Sequence, residues 1–415
     1  MHGDGAAEVV ITGLGAVTPA GNDRESTWQS LAGGKPAVGP ITAFDPAGQA
    51  VRIAAEVRGF DPAALLDRKR LRRMARFSQL AVAAAREAVA DARLTVSPDA
   101  AGRIGVVINS AVAGFDTVEA ATRELTGGAG RLSPYFVASS LTNMPACEVS
   151  IDLGVHGPVL AGAFACASGS VALLQARQLI LAGEADVVVC GGTDAAITPV
   201  MFGGLTPTGA LSQRNDDPAG ASRPFDSERD GFVFGEGAVV AVVESARHAA
   251  ERGTRAYATV AGGAITADAF HVSAPRPDAT YAAEAIRLAL ARAGTSPRQL
   301  DYVCAHATAT PAGDRAETAA IRAALGRSAD SVAVSSPKSM VGHLIGAAGT
   351  LNALVCALAI RDGVVPPTIN LTSPDPDCDL DYVPGTARTV PVRTAISNAF
   401  GFGGQNCVVV FRAPG

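Results

Sequence analysis

Short runs of β-branched residues alternate along this chain with longer stretches of helical periodicity, and the rhythm starts again after residue 250. Val9-Val10-Ile11-Thr12-Gly13, residues 104–108, residues 187–192 and residues 239–243 read as buried strands bounded by glycine or polar residues. Residues 68–92 read as one helix, because Leu71, Met74, Phe77, Leu80, Ala81 and Ala84 recur at helical spacing. The second set predicts strands at 257–260, 302–305, 332–335 and 407–411 and a helix over 282–293. Strands alternating with helices imply a layered α/β architecture. The repeated rhythm suggests an internal duplication. No linker rich in proline, serine or charge parts residues 1–250 from 251–415, which predicts two halves in one body.

Composition narrows the function. Hydrophobic residues are 48% of the 415, much of that alanine, and aromatics only 5%, so the core rests on small and aliphatic side chains. With 34 basic against 39 acidic residues there is no nucleic-acid signature. Seven scattered cysteines without a CxxC pair argue against a disulfide framework and against a zinc site, and they suit a reducing cytoplasm. No charged start followed by an apolar stretch indicates secretion. The apolar run 351–360 is too short for a membrane span and reads as a buried helix. Gly13-Leu14-Gly15 is a weak nucleotide signal and reads as a plain turn.

Cys166 is the candidate nucleophile. It stands in Ala165-Cys166-Ala167-Ser168-Gly169, leading into a helical run over 171–182. A helix N-terminus there favours the thiolate over the thiol, and small neighbours let a bulky thioester approach. The other six cysteines read as buried and structural. Two of the six histidines lie in small-residue motifs: His306 in Ala305-His306-Ala307-Thr308-Ala309-Thr310, and His343 in Gly342-His343-Leu344-Ile345-Gly346-Ala347-Ala348-Gly349. His2, His156 and His248 read as core residues, and His271 as structural or lining an entrance.

These motifs resemble those of the β-ketoacyl-(acyl carrier protein) synthases, members of the thiolase fold. The resemblance extends through Ser336-Pro337-Lys338-Ser339-Met340-Val341, the stretch from Pro224 to Gly237, Ala267-Asp268-Ala269-Phe270-His271, and Ser397-Asn398-Ala399-Phe400-Gly401-Phe402-Gly403-Gly404. It implies a duplicated five-layer α-β-α-β-α architecture and a decarboxylative Claisen condensation. Cys166 would carry the acyl chain. His306 and His343 would donate to the enolate oxygen left when a malonyl thioester loses carbon dioxide. Lys338 and Glu317 would form a charged pair behind the histidines. The backbone N–H groups of Cys166 and Phe400 would make the oxyanion hole, with the Phe400 ring as a gate. Val112, Phe164, Phe202 and Phe400 would line the acyl pocket.

Arg68, Lys69, Arg70, Arg72, Arg73 and Arg76 concentrate positive charge in an acidic chain. The resemblance implies an acidic acyl carrier protein as the partner, docking on Arg68, Lys69, Arg72 and Arg73 with Arg131 contributing. It also implies a homodimer, or a heterodimer with a chain-length-factor-like subunit. No metal or organic cofactor is implied, the phosphopantetheine arm arriving on the carrier protein. Several positions depart from the family pattern: Ala307, Ala309, Phe164, Gln405 and the segment Thr206-Pro207-Thr208-Gly209, which lacks a basic residue. They tilt the reading toward a type II polyketide ketosynthase, with a housekeeping fatty-acid synthase II as the alternative. Cys166 with both histidines weighs against a non-catalytic chain-length factor and against a pure binding module. The position of Cys407 weighs against a thiolase, which uses a second cysteine.

Overall fold

The computed structural model describes residues 8–128 and 131–415. His2 lies outside the described residues. The first half runs β1 (Val9–Val17), α1 (Arg76–Asp91), β2 (Ile104–Asn109), α2 (Met144–Leu153), β3 (Val159–Leu160), α3 (Ser168–Leu181), β4 (Val187–Asp194) and β5 (Gly237–Ser245). The second repeats that order: β6 (Ala258–Ala267), α4 (Thr280–Arg292), β7 (Tyr302–Cys304), α5 (Pro311–Leu325), β8 (Ala333–Ser335), α6 (Ala348–Asp362), β9 (Thr394–Gly401) and β10 (Gln405–Arg412).

The hydrogen-bonded strand order is β8-β7-β9-β10-β6-β1-β5-β4-β2-β3. Each half therefore has the same five-strand pattern, mirrored about the junction. β2 is parallel to β3 and β4, as β7 is to β8 and β9, while the strands nearer the junction pair antiparallel. The halves meet at Val10↔Thr259 and Ile11↔Ala258. Helix α1 covers one face of the first half and packs on α2, and α4 covers the second half and packs on α5. Helices α3 and α6 lie against each other and touch strands of both halves. Five layers follow from these contacts.

A helix in the middle layer has no wet side, and α6 shows it: every residue from Ala348 to Ala359 is buried. The run Ile345–Asp362 is long and apolar enough to cross a membrane, but 83% of it is covered by the protein's own strands and helices. Complete burial of a Leu or Val side chain stabilises by about 1.5–3 kcal/mol, so this helix anchors both halves of the sheet.

Two expectations change. The helix predicted over 68–92 is two, Arg68–Leu71 and α1, separated by a turn at Arg72 and extended backbone at Ala75. Arg70 is drawn to Asp152 and Glu148 on α2, whereas Arg76 makes a two-pronged contact with Glu236. Diverging partners break the helix that periodicity alone predicts. Gly13-Leu14-Gly15 is not a turn but the middle of β1. A Cβ on Gly13 or Gly15 would stand 2.1 or 2.0 Å from the carbonyl oxygens of Ala88 or Ala84, so these glycines let β1 press against α1. The C-terminal glycine-rich segment forms the hairpin that joins β9 to β10.

Candidate active site

Cys166 sits in the turn between β3 and α3. Ala165 adopts φ 46°. The fully buried Ser168 staples the turn, accepting from the Phe164 N–H at 3.0 Å and donating to the Ala165 carbonyl at 2.8 Å. Burial pushes the Cys166 thiol up to about 11, against the opposing pull of the Phe402 N–H and the Lys338 charge. Sequence reading assigned the helix terminus the larger effect. In the folded protein desolvation outweighs it, and the resting group is a thiol.

His306 follows β7. Its N–H donates to Glu317 Oε1 at 2.8 Å, and the Ala307 N–H donates to Oε2 at 2.6 Å. His343 lies between β8 and α6. Its N–H donates to the Val233 carbonyl and its own carbonyl accepts from Gly235, so the segment from Pro224 to Gly237 seats it. The His343 Nδ1 accepts from the Ile345 N–H at 3.3 Å, while Nε2 is buried without a partner among the described residues. An imidazole accepting at Nδ1 holds its proton at Nε2. The Cys166 sulfur and a ring nitrogen of each histidine lie within 4.8 Å of one another, with the two rings edge to face. Burial, reinforced by Lys338, pushes both histidines well below their ordinary range, so both are neutral at pH 7.

Lys338 is 1% exposed and its Nζ has no hydrogen-bond partner among the described residues. Burial lowers its pKa, and Cys304, Glu317 and Cys166 pull the other way. No direct ion pair joins it to Glu317, contrary to expectation. Both Glu317 oxygens are taken by the His306 and Ala307 N–H groups and by Asn398 Nδ2 at 2.9 Å. Cys-His-His is a donor set that zinc uses. Here the Lys338 charge acts on all three groups, and a dication placed among them would meet that repulsion.

Phe400 does not supply the second N–H at the sulfur. It pairs with Asn406 in the hairpin, and its ring stands 5.9 Å from that of His306 as a wall. The N–H directed at Cys166 belongs to Phe402. Gly401 makes this approach possible, since a Cβ there would stand 3.2 Å from the Cys166 nitrogen. Phe402 is 41% exposed and flanked by Gly403 at φ +80°, so the gate position is its own. The sequence did carry that signal, as a phenylalanine set between glycines.

Val112, in the loop after β2, packs partly buried on a cluster containing Phe202 and Phe234. Phe202 has no exposed surface and sits between Phe44, edge to face, and Phe234, tilted, so it shapes that wall from behind instead of lining it. Phe164 is half-buried beside the nucleophile turn. Of the basic cluster, Arg68, Lys69 and Arg72 are exposed, as is Arg131, and none of these four joins an ion pair among the described residues. Arg73 leans toward Glu148, while Arg70 and Arg76 are committed to Asp152 and Glu236. His156 is exposed rather than a core residue, His248 pairs with Glu244, and His271 Nδ1 accepts from Ser273 and Ala274. Sequence reading gave no role to Asp194, Asn352 or Asn398, whose partners are distant in the chain.

Two family models match: Beta-ketoacyl synthase, N-terminal domain, over residues 6–249, and Beta-ketoacyl synthase, C-terminal domain, over residues 257–372. The 3-oxoacyl-(acyl-carrier-protein) synthase 2 of Synechocystis sp. is 46% identical over 405 residues, 97% of each chain. The ishigamide ketosynthase/chain length factor superposes with TM-score 0.92 at 35% identity, covering 99% of this chain and 100% of that one. A type II PKS ketosynthase, solved with its acyl-carrier protein and bound to the hexaketide, gives TM-score 0.89 at 33% identity, again over 99% and 100%.

Proposed function

The chain belongs to the β-ketoacyl synthase family of condensing acyltransferases, and on that premise we propose how its residues divide the reaction. The Cys166 sulfur attacks the carbonyl of an acyl thioester carried on phosphopantetheine. Its proton leaves with the departing thiol, and the tetrahedral oxyanion accepts from the Cys166 and Phe402 N–H groups. A malonyl thioester then places its carbonyl oxygen before the Nε2–H of His343 and the ring of His306. Loss of carbon dioxide leaves an enolate that these neutral donors stabilise in a water-poor site. The enolate carbon attacks the Cys166 thioester, the same N–H pair holds the second oxyanion, and collapse frees the β-ketoacyl product and the sulfur as a thiolate, which takes a proton from water to restore the resting thiol. Lys338 steadies the sulfur's developing charge, and Glu317 holds the His306 backbone. Val112 and Phe164 shape the acyl pocket.

One observation carries this reading: a nucleophile, two neutral donors and an aimed N–H converge within a few ångströms on elements from both halves. We favour straight-chain elongation of the synthase 2 kind over the type II polyketide role, because identity is 46% to the named synthase 2 and 33–35% to the polyketide ketosynthases. Of the basic residues named above, Arg68, Lys69, Arg72 and Arg131 join no ion pair among the described residues and are free to meet an acidic carrier protein. Strand β3 ends the sheet with Val159 and Leu160 38% and 39% exposed, an open edge suited to a second subunit, a like copy or a chain-length-factor relative. Seven free cysteines suit a reducing cytoplasm.

Intact-protein mass spectrometry after incubation with acyl-carrier-protein thioesters tests the reading. An adduct on the wild type, absent from Cys166→Ala, is expected. Adduct formation on both proteins would remove Cys166 from the role. Hexanoyl to hexadecanoyl donors should be accepted and β-polyketone donors refused; the reverse preference would restore the polyketide reading.

A further inference from the structure

Asp194 ends β4 with no solvent exposure, and the reaction outlined above makes no use of it. Its carboxylate nonetheless accepts four hydrogen bonds. Oδ1 takes the Ser110 hydroxyl at 2.5 Å and the Val112 N–H at 3.2 Å. Oδ2 takes the Ala111 N–H at 3.0 Å and the Gly346 N–H at 2.7 Å. Three donors belong to the pocket loop after β2. The fourth belongs to the turn just past His343.

That turn is strained. Ile345 has φ +51°, a left-handed conformation that costs an L-residue roughly 1–2 kcal/mol. Such strain persists only where the surroundings over-determine the backbone. Gly346 permits the constraint to come close, since a Cβ there would stand 2.4 Å from Asp194 Oδ2. The strained residue is the one whose N–H donates to His343 Nδ1. If the turn relaxed, that N–H would swing away and the imidazole proton would no longer be confined to Nε2. Burial pushes the Asp194 carboxyl up to about 6 while its donors pull it down, so it is charged at neutral pH and all four bonds are to a carboxylate.

We propose that Asp194 is a positioning residue: it holds the turn at 344–346, thereby keeps the His343 proton on Nε2, and ties that tautomer to the acyl-pocket loop at 110–112. The inference rests on the enolate-donor role proposed above for His343. It places one anchor under two steps, since the wall that receives the acyl chain and the donor that activates the malonyl unit lean on the same carboxylate.

The test separates the two partial reactions in the full-length protein. Acylation of Cys166 is followed by intact mass with a short acyl donor, which does not reach the pocket wall, and decarboxylation by carbon dioxide release from a malonyl-carrier-protein thioester. Asp194→Asn keeps the volume and one acceptor oxygen but sets an amide N–H group against backbone N–H donors. It should slow decarboxylation by about 10- to 100-fold, the usual effect of removing an orienting partner, while acylation falls far less. Thr193→Ala is the structural control, because it deletes a neighbouring buried bond to the Phe77 carbonyl and should leave the ratio of the two rates unchanged. Should Asp194→Asn not fold, Ser110→Ala removes one of the four donors, along with the bond its hydroxyl accepts from the Ala113 N–H at 2.9 Å, and should shift the ratio in the same direction by less. An unchanged ratio in a folded variant overturns the proposal. A wild type that takes an acyl group yet releases no carbon dioxide would instead overturn the role given to His343.

Discussion

Replacing Glu317 with alanine asks whether the histidine loop is held by a buried carboxylate rather than by an ion pair. The change orphans three donors: the N–H groups of His306 and Ala307 and the Asn398 side-chain amide, now bonded at 2.8, 2.6 and 2.9 Å. A buried donor left without a partner costs about 1–3 kcal/mol. Part of that loss is offset, because burial already pushes the Glu317 carboxyl upward and the variant no longer buries the charge. A net loss of about 3–5 kcal/mol follows, at the upper end of single substitutions. Unfolding entropy near 2.1 cal/mol/K per residue gives about 0.9 kcal/mol/K for a chain of 415 residues. The melting temperature should therefore drop by about 3–6 °C. Thermal melts by circular dichroism measure it, and the same preparations are assayed for the two partial reactions. Decarboxylation should fall more than Cys166 acylation, since Glu317 seats His306 and touches nothing on the nucleophile turn. A variant that melts within about a degree of the wild type, with both rates intact, would refute the reasoning.

Three further outcomes follow from the site. Phe402→Pro deletes the N–H aimed at the sulfur and should slow acylation by about 100- to 1000-fold, whereas Phe400→Ala should mainly disturb His306; equal effects on acylation would hand the oxyanion role back to Phe400. Lys338→Met removes a positive charge that lowers both histidine pKa values, so the acid limb of the decarboxylation profile should move to higher pH; a profile that stays put would take Lys338 out of the site's electrostatics. With the thiol pushed up to about 11, alkylation of Cys166 by iodoacetamide should keep rising about tenfold per pH unit from pH 7 to 10, and a plateau near pH 7 would mean that the helix end outweighs burial after all.

What could be read from the chain was local. β-branched runs and helical spacing located eight of the strands and the buried helix α6, because periodicity of apolar residues reflects which face of an element meets the core. Cys166, His306 and His343 stood out as reactive types framed by small residues, and the repeated rhythm foreshadowed the two matching five-strand halves. A short motif holds such information because a nucleophile turn or a histidine loop needs its small neighbours beside it in the sequence.

What tertiary structure alone decided was every property that depends on distant partners. The break between Leu71 and Arg76 comes from Asp152, Glu148 and Glu236, which no window around residue 70 contains. Lys338 and Glu317 lie in recognisable segments, yet whether they pair depends on who else reaches the carboxylate, and Asn398 arrives from 81 residues away. The choice between Phe400 and Phe402 turns on strand register: the first lies within β9 opposite Asn406, while the second lies in the turn beyond it, from which its N–H reaches Cys166. The charge state of the nucleophile was misjudged for the same reason. A helix terminus is a local feature that sequence exposes, whereas desolvation is the summed effect of all that surrounds a sulfur, and that sum exists only once the chain has folded.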